Sequence, residues 1–481
     1  MNSTRIGHYD FTGMTVLIAG MGTSGTHVNN ILRAHDIKTI TVDEKKTNAD
    51  LHSFADVDWN TINLIVISPI FTPQTDWVLT AQRLGIPIWS EIEFAWRTQT
   101  NHKNTNKPIP WIGITGTNGK TTTTEMISAI MTADNKKAPA VGNIGVSVSQ
   151  AAQNPTNDIL CVELSSFALH FTQSLHLDIA VWTNIDQDHL DWHNGFENYC
   201  NDKAKIFTNA RHAIIYNHDD TQVTRIAHTA PTEQGCQRIG FTLNKPKTGS
   251  IGIENGWILD RALNNTPQGR PIMALAEVND TLKDTNGTIY PHLASDALAA
   301  TAACLAFGTP LEAIHSALAA FHPDAHRIQP VASHRLVGKQ AIHFIDDSKA
   351  TNGHAASASL ASFPDGSVVW IVGGLAKGSR FEDLVRVCRS KLAAAVVIGV
   401  DRIPFLKALE SEAPDVPRVE IEGDSGEAVM RKAVDVAMSF AHPGDVVLLA
   451  PAAASMDQFA NMADRGDKFA AAARAWIEQH A

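Results

Sequence analysis

Short apolar runs alternate with stretches of helical period along most of this chain. In the first hundred residues, TVLIAG (15–20), TITVDE (39–44), LIVISP (64–69) and IPIWS (86–90) each read as a strand. VNNILRAH, WVLTAQRLG and EIEFAWR, lying between and after them, read as helices. Such alternation predicts a parallel sheet covered by helices. The polar stretch TQTNHKNTNKPIP (98–110) has the composition of a linker, with little to bury. The pattern then restarts with WIGITG (111–116), ILCVELSS (159–166), AVWTN (180–184) and HAIIYN (212–217), followed by the hairpin-like GSIGIENGWILD (249–260). An alanine-rich helix, SDALAATAACLAFG (295–308), and a further helix near 311–321 end this region. A third set follows: AIHFIDD (341–347), VVWIVGG (368–374), AAAVVIG (393–399) and DVVLLAP (445–451), closed by the helix DKFAAAARAWIEQH.

A chain of 481 residues is too long for one core. The expected fold class is therefore α/β in three domains: a Rossmann-like domain over 1–107, a P-loop ATPase-like domain over 108–325, and a second Rossmann-like domain over 326–481. Apolar content of 44% and charged content of 19% fit a folded chain. The net charge of −11 leaves no basic stripe for nucleic acid, so no such partner is expected. The five cysteines form no CxxC, which points to a reduced compartment. The start MNSTRIGHYD lacks a basic-then-apolar leader, and no apolar run is long enough to span a bilayer. A cytoplasmic location is expected.

Two glycine-rich stretches stand where a strand gives way to a helix. GMGTSG (20–25) matches G-x-G-x-x-G, with Asp43 at the end of the next strand, where a ribose-binding carboxylate would stand. It suits a dinucleotide, another nucleotide diphosphate, or a tight turn that binds nothing. TGTNGKTTTT (115–124) is the stronger signal. Gly116 and Gly119 let backbone N–H groups converge on phosphate oxygens, Lys120 can reach the β/γ-phosphates, and the Thr121 hydroxyl can join a Mg²⁺ shell. Ile114 occupies the place of the first glycine of the longer, commoner motif. Glu163, at a strand end in the same region, suits either a Mg²⁺ ligand or a helix cap. DQDHLDWH (186–193) packs five metal-capable side chains into eight residues, but without the cysteines or spacing of a zinc site. Lys203 and Lys205 follow on a predicted helix. In the third region Arg327, Lys349 and Lys377 offer positive charge near strand ends, where parallel sheets place their sites.

Taken together, GMGTSG, TGTNGKTT, GNIG, ELSSFAL, DQDHLDWH, YCNDKAK, AHR, DDSKATN and APAAASMDQF resemble the Mur ligase family, in family order and over nearly the whole chain. ELSSF, DSKATN and ASMDQF point to its glutamate-adding branch. The resemblance implies an ATP-dependent amide ligase that adds D-glutamate to UDP-N-acetylmuramoyl-L-alanine through an acyl phosphate, in peptidoglycan precursor synthesis. It implies that Gly116, Thr117, Asn118, Gly119, Lys120, Thr121 and Thr122 cradle ATP, with Arg327, Asp347 and His292. It implies Thr121 and Glu163 on a first Mg²⁺, and Glu163, His189 and Lys203 around a second, with Lys203, the lysine four places after Tyr199, carbamylated. Ser24, Gly25 and Asp43 would hold the UDP-sugar, and Asn143 with His189 the muramoyl-alanine end. Lys349, Thr351, Lys377, Ser455 and Met456 would hold glutamate. Lys120, Glu163, His189 and Lys203 form the implied catalytic set, and a monomer is expected.

Some positions depart from the family pattern. SPIF (68–71) puts isoleucine where a glycine turn is usual, so that turn must differ, since isoleucine does not take positive φ cheaply. HLASD (292–296) replaces an asparagine-containing segment near adenine, and Ala450, Ala453 and Met462 alter the surroundings of the incoming amino acid. Two other readings are a ligase adding another amino acid, such as L-glutamate, and a nucleotide-binding protein without turnover.

Overall fold

The computed structural model describes residues 4–264, 268–283, 287–335, 337–376, 378–423 and 425–480. The chain forms two compact units: Met1–Asp280 with Gly287–Phe321, and Thr281–Asn286 with His322–Ala481.

The first unit holds two principal sheets. The smaller has four parallel strands in the order Lys38–Val42, Thr15–Ala19, Leu64–Ile67, Ile88–Trp89. Thr15–Ala19 and Leu64–Ile67 are buried along their whole length, as expected of strands covered on both faces. The larger sheet has nine strands. Five of them, in the order Ala140–Gly142, Leu160–Glu163, Trp111–Thr115, Ile179–Trp182 and Ala213–Asn217, are parallel and carry the candidate chemistry at their C-terminal ends. The predicted hairpin is Ser250–Glu254 against Trp257–Asp260. Its two-residue turn, Asn255-Gly256, has φ of 52° and 76°, the left-handed pair that suits the twist of a hairpin.

The stretch read as a free linker is docked instead. Gln99 and His102 are buried, and the N–H groups of Thr100 and Lys103 donate to the carbonyls of Ala152 and Pro155 at 3.0 and 2.9 Å. Composition gave the wrong expectation here because it does not show that the stretch's own N–H groups will find carbonyls at Ala152 and Pro155. The preceding helix, Glu91–Thr98, is fastened to the same side. Glu93 has no exposure; its Oε2 accepts from the N–H groups of Gln173 (2.8 Å) and Ser174 (3.0 Å), and its Oε1 from Arg97 Nε (2.6 Å) and Ser174 Oγ (2.8 Å). At SPIF, Ile70 avoids positive φ and is left exposed.

The second unit is built on a six-stranded sheet. Its order is Gln329–His334, Ile342–Asp346, Val446–Leu449, Val368–Gly373, Leu392–Ile398, Arg418–Glu420, with only the first strand antiparallel. The helices Gly426–Phe440 and Met462–Gln479 cover it through Met430, Val434, Phe469 and Ala473, all buried. Among the described residues no helix is long and apolar enough to cross a membrane.

Candidate active site

The loop after Trp111–Thr115 is shaped for close approach. Gly119 has φ of 77° and caps the helix Lys120–Ala133 without a side-chain hydrogen bond, and a helix N-terminus of this kind suits an anion. A Cβ on Gly119 would come 2.2 Å from Asp296 Oδ1, and one on Gly116 would come 1.9 Å from Thr183 Oγ1, so neither position accepts a side chain. Asn184, from the next strand end, braces the loop: its Oδ1 accepts from Asn118 N at 2.9 Å and its carbonyl from Thr117 N at 3.0 Å. Asp296 accepts from Thr123 Oγ1 at 3.2 Å. Sequence reading singled out neither residue. Its place just after the strand beside the loop is the signal by which Asn184 can be found. Asp296 sits in HLASD, distant in sequence, and left no signal.

Glu163 ends its strand 2% exposed, and both carboxylate oxygens are engaged. Thr121 Oγ1 donates to Oε2 at 2.8 Å, and Asn143 Nδ2 to Oε1 at 3.1 Å. A carboxylate beside a hydroxyl oxygen is a donor set for a hard cation such as Mg²⁺. Lys120 folds back, its Nζ donating to the Thr117 carbonyl at 2.9 Å. Thr122 is buried behind the loop.

Lys203 comes from the helix Phe196–Ala204 and is 2% exposed. Its Nζ donates to the Gly116 carbonyl at 2.7 Å and lies 3.4 Å from Thr115 Oγ1. Burial, with Lys120 nearby, pushes its pKa well below the ordinary lysine value. Tyr199, one turn earlier, lies under the ammonium at 4.8 Å and bonds Thr117 Oγ1 at 3.1 Å. His189 stands apart from this group: it is half-exposed, has φ of 52°, and makes no hydrogen bond to Glu163 or Lys203. Its ring meets the edge of Phe167 at 4.7 Å. His292 lies in the first turn of Pro291–Phe307, its ring 6.1 Å from that of Tyr290.

A cleft lined by Ser24, Pro69, Glu91, Asn143, Glu163 and Phe167 brings the first glycine loop and the Glu163 cluster to one opening. Gly25 packs so tightly that a Cβ would come 2.0 Å from the Gly20 carbonyl oxygen. Asp43 is used locally: Oδ2 accepts from Met21 N at 2.8 Å, and Oδ1 from Lys45 N at 2.9 Å and Lys46 N at 3.1 Å. It thus shapes the loop.

In the second unit, Asp347 is buried next to Arg327, and Ser359 Oγ donates to its Oδ2. Burial raises its pKa to about 6 against the pull of Ser359 and Arg327. Arg327 Nε is buried without a hydrogen-bond partner, an orphan donor that an anionic group would satisfy. Lys349 Nζ bonds Asp324 Oδ2 at 2.9 Å. The loops carrying Lys349 and Ser455 are tied together by Arg465, which is wholly buried: Nε donates to Ser348 Oγ (2.9 Å), Nη2 to the Ser348 carbonyl (2.9 Å) and Nη1 to the Ala453 carbonyl (3.0 Å). Ser455 is buried, whereas Thr351 and Met456 are exposed. Lys377 lies outside the described residues.

A parallel sheet with a glycine-lysine loop, a carboxylate at the neighbouring strand end and a buried lysine behind it defines an ATP-using enzyme class, and the wider likeness says which. Residues 114–304 match the Mur ligase middle domain and 326–453 the Mur ligase, glutamate ligase domain. The chain belongs to the Mur ligase family, and is an ATP-dependent acid–amino-acid ligase. It is 52% identical over 473 residues to the UDP-N-acetylmuramoylalanine--D-glutamate ligase of Bifidobacterium longum subsp. infantis, covering 97% of this chain and 98% of that protein. The protein of the same name from Streptomyces coelicolor is 40% identical over 481 residues, covering 97% and 98%. Among solved structures, a pseudomurein peptide ligase type C from Methanothermus fervidus superposes with a TM-score of 0.56 at 18% identity, over 97% of this chain and all of that one, which establishes the shared α/β fold.

Proposed function

We propose that the protein joins the amine of D-glutamate to the carboxyl group of UDP-N-acetylmuramoyl-L-alanine, with ATP converted to ADP and phosphate. The observation that carries this is the Thr121–Glu163–Asn143 cluster at the mouth of a cleft that also takes in Ser24. The full-length identity to D-glutamate ligases supports the choice of substrates. A carboxylate is a poor electrophile, so the γ-phosphoryl group is first moved onto it, giving an acyl phosphate. The amine then attacks the acyl carbon, loses a proton, and the C–O bond to phosphate breaks.

Residues 1–107 bind the UDP-sugar through the loop at Ser24 and Gly25 with Asp43, residues 108–325 bind ATP, and residues 326–481 bind glutamate and complete the ATP site. Gly116 to Thr122 hold the phosphates, and Lys120 exchanges its bond to the Thr117 carbonyl for the β/γ-phosphates. Asn143 orients Glu163 and faces the reacting end of the muramoyl-alanine. Mg²⁺ held by Thr121 and Glu163, with a second ion among Glu163, His189 and a carbamylated Lys203, supplies neutralising charge for the phosphoryl oxygens. The buried environment of Lys203 favours its neutral amine, the form that adds carbon dioxide. Arg327 and Asp347, with His292, serve the nucleotide, and Lys349, Thr351, Lys377, Ser455 and Met456 serve glutamate.

The test is phosphate release by the purified protein with ATP, Mg²⁺, bicarbonate and UDP-N-acetylmuramoyl-L-alanine, run separately with D-glutamate, L-glutamate, L-lysine and diaminopimelate. Release with D-glutamate alone, and one amide product, is expected. Turnover only with L-glutamate would keep the mechanism and overturn the substrate; no turnover with any would overturn both.

A further inference from the structure

Behind His189 and Lys203 lies a buried polar cluster that the reaction described above does not use. Asp202, the neighbour of Lys203, is 6% exposed. Its Oδ2 accepts from His170 Nδ1 and from His193 Nδ1, both at 2.8 Å, and its Oδ1 pairs with Lys205 Nζ at 3.1 Å. These three groups hold the carboxyl well below the usual carboxylate range despite its burial, so it is ionised. The three ligand atoms of His170, His193 and Asp202 lie within 4.8 Å of one another, close enough for a cation. The Lys205 ammonium already supplies the positive charge there, and both Nδ1 hydrogens point at the same oxygen.

What the cluster holds is the wall of the site. His193 Nε2 bonds Ser166 Oγ at 2.9 Å, on the segment following Glu163. The His193 ring stacks on Phe167 at 5.6 Å, and Phe167 is the ring that meets His189. The same imidazole packs on Tyr199 at 5.1 Å, which in turn bonds Thr117 and lies under Lys203. His189 itself is half-exposed, and Leu190–His193 is a single short turn, so its placement depends on the anchor at the other end of that turn.

We infer that Asp202 is a positioning residue for the reaction: by clamping His193 it sets the Phe167–His189 and Tyr199–Lys203 contacts on the two sides of one imidazole. The inference rests on the ligase reading given above. An amide at 202 removes the negative charge the two imidazoles share and, with its oxygen kept towards them, turns its NH₂ against the Lys205 ammonium that Oδ1 now pairs with. Groups that orient metal-binding side chains typically account for about 10- to 100-fold in affinity or activity.

The test compares wild type with Asp202→Asn and with His170→Asn, which removes one donor from the less buried side of the clamp. Asp202→Asn is expected to lower kcat about 30-fold, leave KM for D-glutamate within about twofold, and raise the Mg²⁺ concentration giving half-maximal rate about fivefold or more. Mn²⁺ binding to the protein with ADP, followed by electron paramagnetic resonance, should weaken in parallel, without any turnover being needed. His170→Asn should show the same pattern at about a third of the size, and it carries the test if Asp202→Asn does not fold. A variant that loses thermal stability but keeps its Mg²⁺ and Mn²⁺ dependence and its kcat overturns the inference while leaving the ligase reading intact. A wild type inactive with D-glutamate overturns that reading instead, and the Mn²⁺ comparison still decides whether Asp202 sets the site.

Discussion

The two glycine loops of the first unit share a plan and differ in what surrounds them. Each follows a buried parallel strand and opens a helix, and each has a residue where a Cβ would fall far inside van der Waals contact: Gly25 against the Gly20 carbonyl, Gly116 against Thr183. The nearest acid to the first loop, Asp43, spends its oxygens on the amides of Met21, Lys45 and Lys46. The second has Asp296 against Gly119 and, beside it, Glu163, which is held by two side chains, Thr121 and Asn143, that a cation or substrate can displace. Two lysines stand beside the second loop and bond to its carbonyls and hydroxyl, Lys120 to Thr117 and Lys203 to Gly116 and Thr115. A glycine loop on a helix N-terminus grips a phosphate in either place. Only the loop with displaceable charge around it is equipped to move one.

The largest effect that could break this contrast is at Glu163. Glu163→Gln should lower kcat by about 10³-fold with little change in fold, because the loss falls on charge neutralisation in the transition state; single-turnover phosphate release checks it. A fall of tenfold or less would mean that the acid is a scaffold, like Asp43. Next is the steric comparison. Gly116→Ala should raise the Kd for ADP about 100-fold or more, since the new Cβ sits 1.9 Å from Thr183 Oγ1. Gly22→Ala, where nothing lies within 4 Å and φ is −70°, should bind UDP-sugar as wild type does. Calorimetric titration of both variants would show whether tightness marks the positions that matter.

Asp347 sharpens the point about acids, since burial rather than bonding dominates it. Its pKa is raised from 3.8 to about 6, so its folded-state cost is absent below pH 4 and grows as pH rises through 6. Stability should fall by about 3 kcal/mol across that window and be flat above it. Asp347→Asn should remove that slope in chemical denaturation measured at pH 4 and pH 7. The smallest effect is at Asp43: Asp43→Asn should raise KM for the UDP-sugar about tenfold and leave kcat nearly unchanged, the signature of lost uniform binding.

Much of this arrangement could be read from the sequence, and the parts that could not share a cause. The strands Thr15–Ala19, Trp111–Thr115 and Val368–Gly373 are unbroken apolar runs, and the glycine loops lie directly after two of them, so local pattern sufficed. Thr121, Glu163 and Asn143 could be named because each stands in a short motif of its own. Their mutual bonds span 42 and 20 residues, and no local pattern states them. Asp296 bonds Thr123 across 173 residues and looked like an ordinary helix residue. Asp202 was hidden in plain view beside Lys203, because its partners His170 and His193 arrive from two other helices. The 98–110 stretch misled because a polar composition looks the same in sequence whether its backbone N–H groups will meet water or, as at Thr100 and Lys103, a carbonyl from a distant segment.

The fastening of Glu91–Thr98 has a consequence for how this molecule can be taken apart. Glu93 has no exposure, and three of the bonds to its carboxylate come from Gln173 and Ser174. A fragment cut at residue 107 would bare that carboxylate along with Ser90, whose hydroxyl meets Thr172 at 2.7 Å. What the sequence spells as two modules is, as a piece of material, one casting: the seam is written in the chain order but not in the bonds. Recombining this N-terminal sheet with the nucleotide sheet of a distant relative would therefore require carrying over the 172–174 corner with it, as part of the graft rather than part of the host.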